Sequence, residues 1–143
     1  MLKPVELAAK FVDRFSFNGD KKMYKKLTEE EQRVIVHKGT EKRFSGKFDK
    51  HHARGTYTCK KCGKELFDSS SKFDSGCGWP SFDDQIEDSV KQQLDADGGR
   101  TEIVCAECDG HLGHIFLGED HTPKNTRYCV NSISIEFTPE KDQ

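Results

Sequence analysis

The spacing of the cysteines constrains the fold of this 143-residue chain more than any other feature. Four of the six cysteines form two Cys-x-x-Cys pairs, Cys59/Cys62 and Cys105/Cys108, which 42 residues separate. A two-residue gap lets a turn direct both sulfur atoms at one ion, and two such pairs complete a tetrahedral zinc site. The pattern therefore predicts a structural zinc ion that fastens two turns together, and it leaves two cysteines for redox chemistry.

Two other interpretations of the pairs stay open from the residues alone. A Cys-x-x-Cys pair can be a thioredoxin-like redox site, and iron accepts the same four-sulfur geometry. Each pair follows a strand-like segment and precedes a glycine turn, as in the two halves of a zinc ribbon, and this match favours a structural metal. Gly63 and Gly110 are expected to supply positive φ angles in these turns.

The composition indicates one domain of ordinary size with a lean core. Hydrophobic residues make up 33% of the chain and charged residues 34%, so a bound metal would add stability that the core lacks. The net charge of −2 provides no basic field for nucleic acid or anionic lipid, and no apolar run approaches the roughly 20 residues of a membrane span. Because the N-terminus has no apolar signal segment, we expect a reducing, cytoplasmic location.

The secondary-structure pattern changes from helical to β near residue 43. Residues 4–16 carry an irregular apolar helical stripe, and a capping box of Thr28 and Glu31 predicts a second short helix that ends near Gly39. Beyond this point, turn residues separate short segments rich in aromatic and β-branched residues. Strands are predicted at 55–58, 100–104, 114–117 and 128–137. The chain is therefore expected to be mainly β.

Cys77 and Cys129 are the candidates for redox chemistry. Cys77 lies among glycines just before Trp79, in a loop that is able to move a thiol. Cys129 lies in a predicted strand, where the two-residue period places Asn131 on the same face about 6–7 Å away. Taken separately, each cysteine could equally be inert, one in a loop and the other in the core.

His111 and His114 favour the reactive interpretation, because they directly follow the second cysteine pair. An imidazole near a thiol lowers the pKa of that thiol and can donate a proton to an oxygen leaving group. A role as extra metal ligands is disfavoured, since four cysteines already suffice for a metal. Trp79 is expected either to line a shallow pocket for a thioether-like substrate or to anchor the core.

These motifs together resemble the type B methionine sulfoxide reductases, which are specific for methionine-R-sulfoxide. The matching segments are 44–46, both cysteine pairs, 72–82, 108–116 and 127–132, and the resemblance spans about residues 22–138. It implies a single domain with short N-terminal helices and two antiparallel β-sheets, often called a β-tent. It also implies zinc bound by the four paired cysteines, with residues 1–21 as an extension of the domain.

The resemblance implies a redox cycle for the two unpaired cysteines. Cys129 is the expected nucleophile, and it attacks the sulfoxide sulfur to become a sulfenic acid. Cys77 occupies the position of the resolving cysteine, which forms a disulfide that thioredoxin reduces. The implied role is repair of methionine sulfoxide, free or in oxidised proteins, during oxidative stress, by a monomer that binds neither nucleic acid nor membrane.

The resemblance also implies the neighbours of the substrate. His111, His114 and Asn131 are expected around the sulfoxide oxygen and the attacking thiolate. Trp79 is expected against the substrate methyl group, and Phe82 is expected to contribute to substrate binding.

Two functions of other classes are the alternatives. One is a zinc-ribbon module that binds a protein or a nucleic acid, and the other is a thiol peroxidase in which Cys129 meets a hydroperoxide. Nucleic-acid modules are often basic and carry aromatic stacking platforms, whereas this chain is slightly acidic and has its single tryptophan in a cysteine loop.

Overall fold

The computed structural model describes residues 24–141, and within this range it has one α-helix and nine β-strands. The helix α1 spans Glu29–Ile35, and the strands are β1 (Gly55–Cys59), β2 (Glu65–Asp68), β3 (Lys72–Phe73), β4 (Ser81–Phe82), β5 (Val90–Leu94), β6 (Thr101–Cys105), β7 (His111–Leu117), β8 (Thr126–Val130) and β9 (Ile135–Pro139). The helix predicted at 4–16 lies outside the described residues. No helix in the described part of the chain combines the length and the apolar character needed to cross a membrane.

The strands form two antiparallel sheets, which confirms the predicted fold class. One sheet has the order β2-β1-β9, and the other has the order β3-β4-β8-β7-β6-β5. Aromatic side chains join the sheets in the core: Tyr57 of the smaller sheet packs against Phe82 of the larger one, with 5.0 Å between ring centroids. Phe82 in turn stacks on Phe67, with ring centroids 4.3 Å apart.

The helix α1 begins at the predicted capping box. Thr28 Oγ1 accepts a hydrogen bond from Glu31 N at 3.1 Å, and the Glu31 carboxylate accepts one from Thr28 N at 2.9 Å. The helix ends at Ile35, earlier than the end predicted near Gly39. Lys38 takes the left-handed conformation that terminates the helical turns, with φ of 62°, and Gly39 follows it.

The single strand predicted over 128–137 is wrong, because this segment contains two strands of different sheets. β8 ends at Val130, a 3₁₀ turn covers Ser132–Ser134, and β9 begins at Ile135. The Glu41 carboxylate accepts hydrogen bonds from the backbone N–H groups of Ser132 at 2.8 Å and Ile133 at 3.0 Å. These two N–H groups are thereby removed from any strand ladder, and the chain crosses from the six-stranded to the three-stranded sheet.

Candidate active site and metal centre

The four paired cysteines converge where the two sheets meet. Their sulfur atoms all lie within 4.8 Å of one another. The Sγ atoms of Cys59 and Cys108 are 3.6 Å apart, and so are those of Cys62 and Cys105. Zinc–sulfur bonds of about 2.3 Å in a tetrahedron require sulfur separations of about 3.8 Å, so these thiols fit a metal ion. Because Cys59 ends β1 and Cys105 ends β6, an ion bound here joins the two sheets.

The two cysteine turns, residues 59–64 and 105–110, have the same backbone hydrogen bonds. In each, the first cysteine N–H donates to the carbonyl five residues later, and the fourth residue after that cysteine donates back to the cysteine carbonyl. This fourth residue is left-handed in both turns: Gly63 has φ of 83° and Asp109 has φ of 61°. The positive φ predicted for Gly110 is therefore wrong. The space beside residue 110 is tight and favours glycine, since a Cβ would lie 3.0 Å from Ile35 Cγ2 and 3.3 Å from Cys108 Sγ.

Cys77 and Cys129 meet at a separate site, on the face of the six-stranded sheet that points away from the core. Cys129 lies in β8, paired with Ser81 of β4 on one side and with His114 of β7 on the other. Cys77 lies in the loop before β4, and its Sγ is 3.9 Å from Cys129 Sγ. A disulfide requires a sulfur–sulfur distance of about 2.05 Å, so a small movement of the loop brings the two sulfur atoms into bonding range.

The two thiols share one negative charge. The hydrogen bond from Cys129, supported by those from Ser75 and Ser81, outweighs burial and lowers the pKa of Cys77 to about 4. The contact with Cys77 and burial raise the pKa of Cys129, and the Arg127 guanidinium acts in the opposite direction. The contact between the sulfur atoms therefore favours the thiolate on Cys77 and the proton on Cys129.

A pocket of about 110 Å³ opens beside these sulfur atoms. It is lined by Thr40, Cys77, Trp79, Arg100, Gly113, His114, Phe116, Arg127, Cys129, Val130 and Asn131. Five residues that the sequence analysis assigned to the site are among them: Cys77, Trp79, His114, Cys129 and Asn131. The lining combines apolar rings with a few polar groups, as small-molecule sites commonly do.

His111 and His114 are each paired with a carboxylate. His114 Nε2 donates to Asp95 Oδ2 at 3.0 Å, and His111 Nδ1 donates to Glu102 Oε2 at 2.7 Å. His111 does not line the pocket, although its ring centroid is 5.7 Å from that of His114. It is 3% exposed, and its Nε2 has no hydrogen-bond partner within the described residues. Burial lowers the pKa of His111 even though Glu102 favours the charged ring, so His111 is held neutral.

The backbone of Glu41 fixes the side chains of Asn131 and Trp79. Asn131 Oδ1 accepts from Glu41 N at 2.9 Å, and Trp79 Nε1 donates to Glu41 O at 3.0 Å. Asn131 Nδ2 also donates to Leu112 O at 3.1 Å. The positions of two pocket-lining side chains, Asn131 and Trp79, thus depend on the backbone of Glu41.

Arg127 forms the wall of the pocket at β8. Its guanidinium carbon lies 4.4 Å from the Phe116 ring centroid, and its Nε donates to Glu119 Oε1 at 2.8 Å. The ring and the carboxylate hold the guanidinium in one orientation. A fixed positive charge therefore lies near the two sulfur atoms.

Comparison with known proteins identifies the family. Residues 27–139 match the SelR domain. Peptide methionine sulfoxide reductase B7 of Arabidopsis thaliana is 53% identical over 113 residues, which are 78% of this chain and 78% of that protein. The B8 protein of the same plant is 54% identical over 112 residues, again 78% of each chain. The B5 protein of Oryza sativa subsp. japonica is 48% identical over 114 residues, 79% of this chain and 84% of that protein.

The chain belongs to the SelR family of type B methionine sulfoxide reductases. It is therefore an enzyme, and the resemblance inferred from its motifs is confirmed. Phe82, expected to contribute to substrate binding in this reductase, instead lies fully buried in the core and does not line the pocket. An aromatic residue next to a cysteine loop gives no sign of which face of its short strand is buried.

Sequence analysis of this reductase missed the groups that hold the site residues. Glu41, Asp95 and Glu102 had no recognisable pattern, and neither did Arg100, which lines the pocket and pairs with Asp95 at 3.1 Å. The one sequence signal for a buried polar partner is Glu102, a charged residue next to the apolar end of a predicted strand. The pairing of Glu102 with His111 depends on the register between β6 and β7. An irregularity between Ile103 and Val104 shifts this register.

Proposed function

We propose that this chain reduces methionine-R-sulfoxide, free or in proteins, to methionine. Cys129 is the nucleophile and Cys77 is the resolving cysteine. The observation that carries this proposal is the 3.9 Å contact between their sulfur atoms at the wall of a small, partly apolar pocket. The names of the relatives support the substrate, and the preference for the R isomer comes from the family resemblance.

The assignment of Cys129 as the nucleophile is supported by its place on a paired strand. The pairing of β8 with its neighbours fixes the Cys129 sulfur at the pocket, whereas Cys77 lies in a loop outside the strand ladder, between the left-handed Gly76 and Gly78. The contact with Cys77 is also the largest cause that raises the pKa of Cys129. A sulfoxide that displaces the Cys77 side chain from Cys129 removes this cause, and the Cys77 thiolate can take the Cys129 proton.

In the first step the Cys129 sulfur attacks the sulfoxide sulfur. The oxygen moves from the methionine sulfur to the cysteine sulfur, so one thiol and one sulfoxide give one sulfenic acid and one methionine. The cysteine sulfur loses two electrons and the methionine sulfur gains them. The oxygen must be protonated as its bond to the methionine sulfur breaks, and acid catalysis of this kind contributes about 10²–10⁴-fold.

His114 is the proposed source of that proton, because it lines the pocket. Its Nε2–H remains bonded to Asp95 when the ring is protonated, and the Nδ1–H is then the proton to give. His111 can take part only through water or after movement, since it is buried and does not line the pocket.

Trp79 and Asn131 are proposed to orient the substrate. The Trp79 ring is apolar and suits a methyl group or a sulfur atom. Asn131 uses its oxygen and one amide hydrogen within the protein, which leaves a second hydrogen and a second lone pair for the sulfoxide or for water.

In the second step the Cys77 thiol attacks the Cys129 sulfenic acid. A sulfur–sulfur bond forms, the sulfur–oxygen bond breaks, and the oxygen leaves as water with two protons. Thioredoxin is the proposed reductant, and thiol–disulfide exchange restores both thiols. The proposed setting is repair of oxidised protein by a cytoplasmic monomer under oxidative stress.

Zinc is the proposed occupant of the four-cysteine site. Its contribution is stability of the fold, because four thiolates leave no open coordination position for a substrate. Metal analysis of the purified protein distinguishes zinc from iron, which fits the same geometry.

The test is methionine production from each sulfoxide isomer in the presence of dithiothreitol. We expect methionine from the R isomer and none from the S isomer. Consumption of hydrogen peroxide without methionine from either isomer would instead identify a thiol peroxidase, and neither activity would indicate a binding module.

Two variants separate the roles of the cysteines. Cys129→Ser is expected to abolish methionine formation. Cys77→Ser is expected to form one methionine per chain and then stop when thioredoxin is the reductant. Full recycling of Cys77→Ser with thioredoxin would show that Cys77 is not the resolving cysteine.

A further inference from the structure

Three consecutive residues of the loop that carries Cys77 each share one hydrogen bond with residues 41–44. Arg43 Nε donates to Cys77 O at 2.9 Å, Phe44 N donates to Gly78 O at 2.7 Å, and Trp79 Nε1 donates to Glu41 O at 3.0 Å. Two of these bonds hold the backbone carbonyls of the loop. The position of the Cys77 sulfur over Cys129 therefore depends on residues 41–44.

The loop lies close to Arg43 at residue 78, where an added side chain would require neighbouring atoms to shift. A Cβ on Gly78 would lie 3.0 Å from Arg43 Cβ and 3.2 Å from Phe44 N. Gly76, on the other side of Cys77, faces open space, and a Cβ there would meet no neighbouring side chain or backbone of the described residues within 4 Å. Both glycines are left-handed, with φ of 99° at Gly78 and 83° at Gly76. The loop is thus pressed against Arg43 on one side of Cys77 and is open on the other.

Of the three bonds between this loop and residues 41–44, only the bond from Arg43 to Cys77 O is removed by substituting a side chain of residues 41–44. The bond to Gly78 comes from the Phe44 backbone and the bond to Trp79 goes to the Glu41 backbone, so both persist when side chains on residues 41–44 change. The Arg43 guanidinium carbon also lies 5.7 Å from the Trp79 ring and 5.3 Å from the Phe44 ring. Two aromatic faces therefore keep this side chain directed at the loop.

We propose that Arg43 is a positioning residue for the disulfide step, because it holds the Cys77 backbone where its sulfur meets Cys129. This rests on the proposed function. In that step the Cys77 thiol and the Cys129 sulfenic acid give a disulfide and water. With the carbonyl of Cys77 fixed, the sulfenic acid is captured before another nucleophile reaches it, because the capture is intramolecular and needs little movement.

Two substitutions of similar length isolate the hydrogen bond. Arg43→Gln keeps an N–H donor, since glutamine Nε2 and arginine Nε both follow Cβ, Cγ and Cδ along the side chain. Arg43→Met keeps an unbranched side chain and removes the donor. We expect Arg43→Met to slow disulfide formation by about three- to tenfold, as the loss of one neutral hydrogen bond implies, and Arg43→Gln to recover most of the wild-type rate.

The measurement is a single turnover of the reduced full-length protein with saturating methionine-R-sulfoxide and no reductant. Quenched samples give methionine by chromatography, disulfide by intact mass, and sulfenic acid by capture with dimedone. For Arg43→Met we expect wild-type methionine, slower disulfide formation and more dimedone adduct. Disulfide formation at the wild-type rate in Arg43→Met, or an Arg43→Gln variant as slow as Arg43→Met, would overturn the proposal.

The same experiment separates this proposal from the proposed function. If the wild-type protein makes no methionine in the single turnover, the proposed function fails. If the wild-type protein makes methionine and Cys77→Ser accumulates the dimedone adduct, the function and the role of Cys77 stand. The rates of disulfide formation in Arg43→Met and Arg43→Gln then test only the positioning role of Arg43.

A pair of glycine variants tests the contact from the loop side. Gly76→Ala and Gly78→Ala both place a side chain at a left-handed residue, but only the second meets Arg43. We expect Gly78→Ala to slow disulfide formation more than Gly76→Ala. Equal slowing would assign the effect to backbone strain and count against Arg43.

Discussion

At the scale of single residues, the site depends on which sulfur atom carries the proton. Cys77 has a pKa lowered to about 4 by hydrogen bonds, chiefly from Cys129, and the same contact raises the pKa of Cys129. The two cysteines therefore titrate as a pair. The positive charge of Arg127 lowers the pKa of Cys129 and so favours its thiolate. Loss of one sulfur must change the acidity of the other.

This coupling predicts that Cys77→Ser lowers the pKa of Cys129. The substitution removes the largest cause that raises the pKa, while Arg127 still favours the thiolate. The rate of Cys129 alkylation by iodoacetamide, measured against pH and located by peptide mass, should reach half its maximum at a lower pH than in the wild-type protein. An unchanged or higher midpoint would contradict the coupling.

Glu41 shows how a buried carboxylate can organise a site from outside it. Its side chain is 7% exposed and accepts two backbone hydrogen bonds at the turn after β8. Glu41→Gln leaves one acceptor oxygen and turns an NH₂ group toward a backbone N–H. We expect this to destabilise the protein by about 1–3 kcal/mol in urea unfolding followed by Trp79 fluorescence.

The control for Glu41→Gln is Glu87→Gln, which removes the same charge at an exposed position. Glu87→Gln is expected to change the free energy of unfolding by less than about 0.5 kcal/mol. Equal effects of the two substitutions would show that the loss of charge, and not the loss of the buried hydrogen bonds, is responsible.

At the scale of secondary-structure elements, the close pairing of β7 and β8 positions the nucleophile. A Cβ on Gly113 would lie 1.9 Å from the carbonyl oxygen of Cys129, so any side chain there pushes the two strands apart. We expect Gly113→Ala to destabilise the protein by more than about 3 kcal/mol in urea unfolding and to reduce methionine formation.

Gly118→Ala provides the comparison for Gly113→Ala. Gly118 is left-handed, with φ of 83°, and no atom lies within 4 Å of a Cβ built on it. Its substitution is expected to cost only the strain of the backbone, about 1–2 kcal/mol. If Gly113→Ala lowers the free energy of unfolding no more than Gly118→Ala does, the close approach of β7 and β8 at Gly113 does not contribute to stability.

Local signals in the sequence predicted part of the secondary structure, because such signals act over a few residues. The capping box placed the start of α1, and strands predicted at 55–58, 100–104 and 114–117 overlap β1, β6 and β7. The crossing between β8 and β9 was not predictable. Apolar and polar side chains alternate both before and after the crossing, as in one continuous strand, and the turn is stabilised by the carboxylate of Glu41, which is distant in sequence. The pairing of Glu102 with His111 was hidden for a similar reason, because it requires the register of two strands.

At the scale of the whole molecule, the four-cysteine site is the link between the two sheets. The core is small, and the site ties β1 of one sheet to β6 of the other. A structural zinc ion contributes a large part of the folding free energy of small metal-binding domains. Chelation, or Cys59→Ser, is therefore expected to lower the melting temperature by more than about 10 °C.

The matched control for Cys59→Ser is Cys77→Ser, which removes a thiol outside the metal site. It is expected to keep the melting temperature within a few degrees of wild type and to retain the metal. A metal-free protein with an unchanged melting temperature would contradict a structural role for the ion.

The division between four structural and two redox cysteines is tested most directly by peptide mass mapping. The fully reduced protein is given one equivalent of methionine-R-sulfoxide without reductant, and its metal, its methionine yield and its disulfides are measured together. We predict one methionine and one disulfide per chain, Cys77–Cys129, with the metal and all four paired cysteines unchanged. A disulfide that includes any of the paired cysteines, or release of the metal during the reaction, would contradict this account.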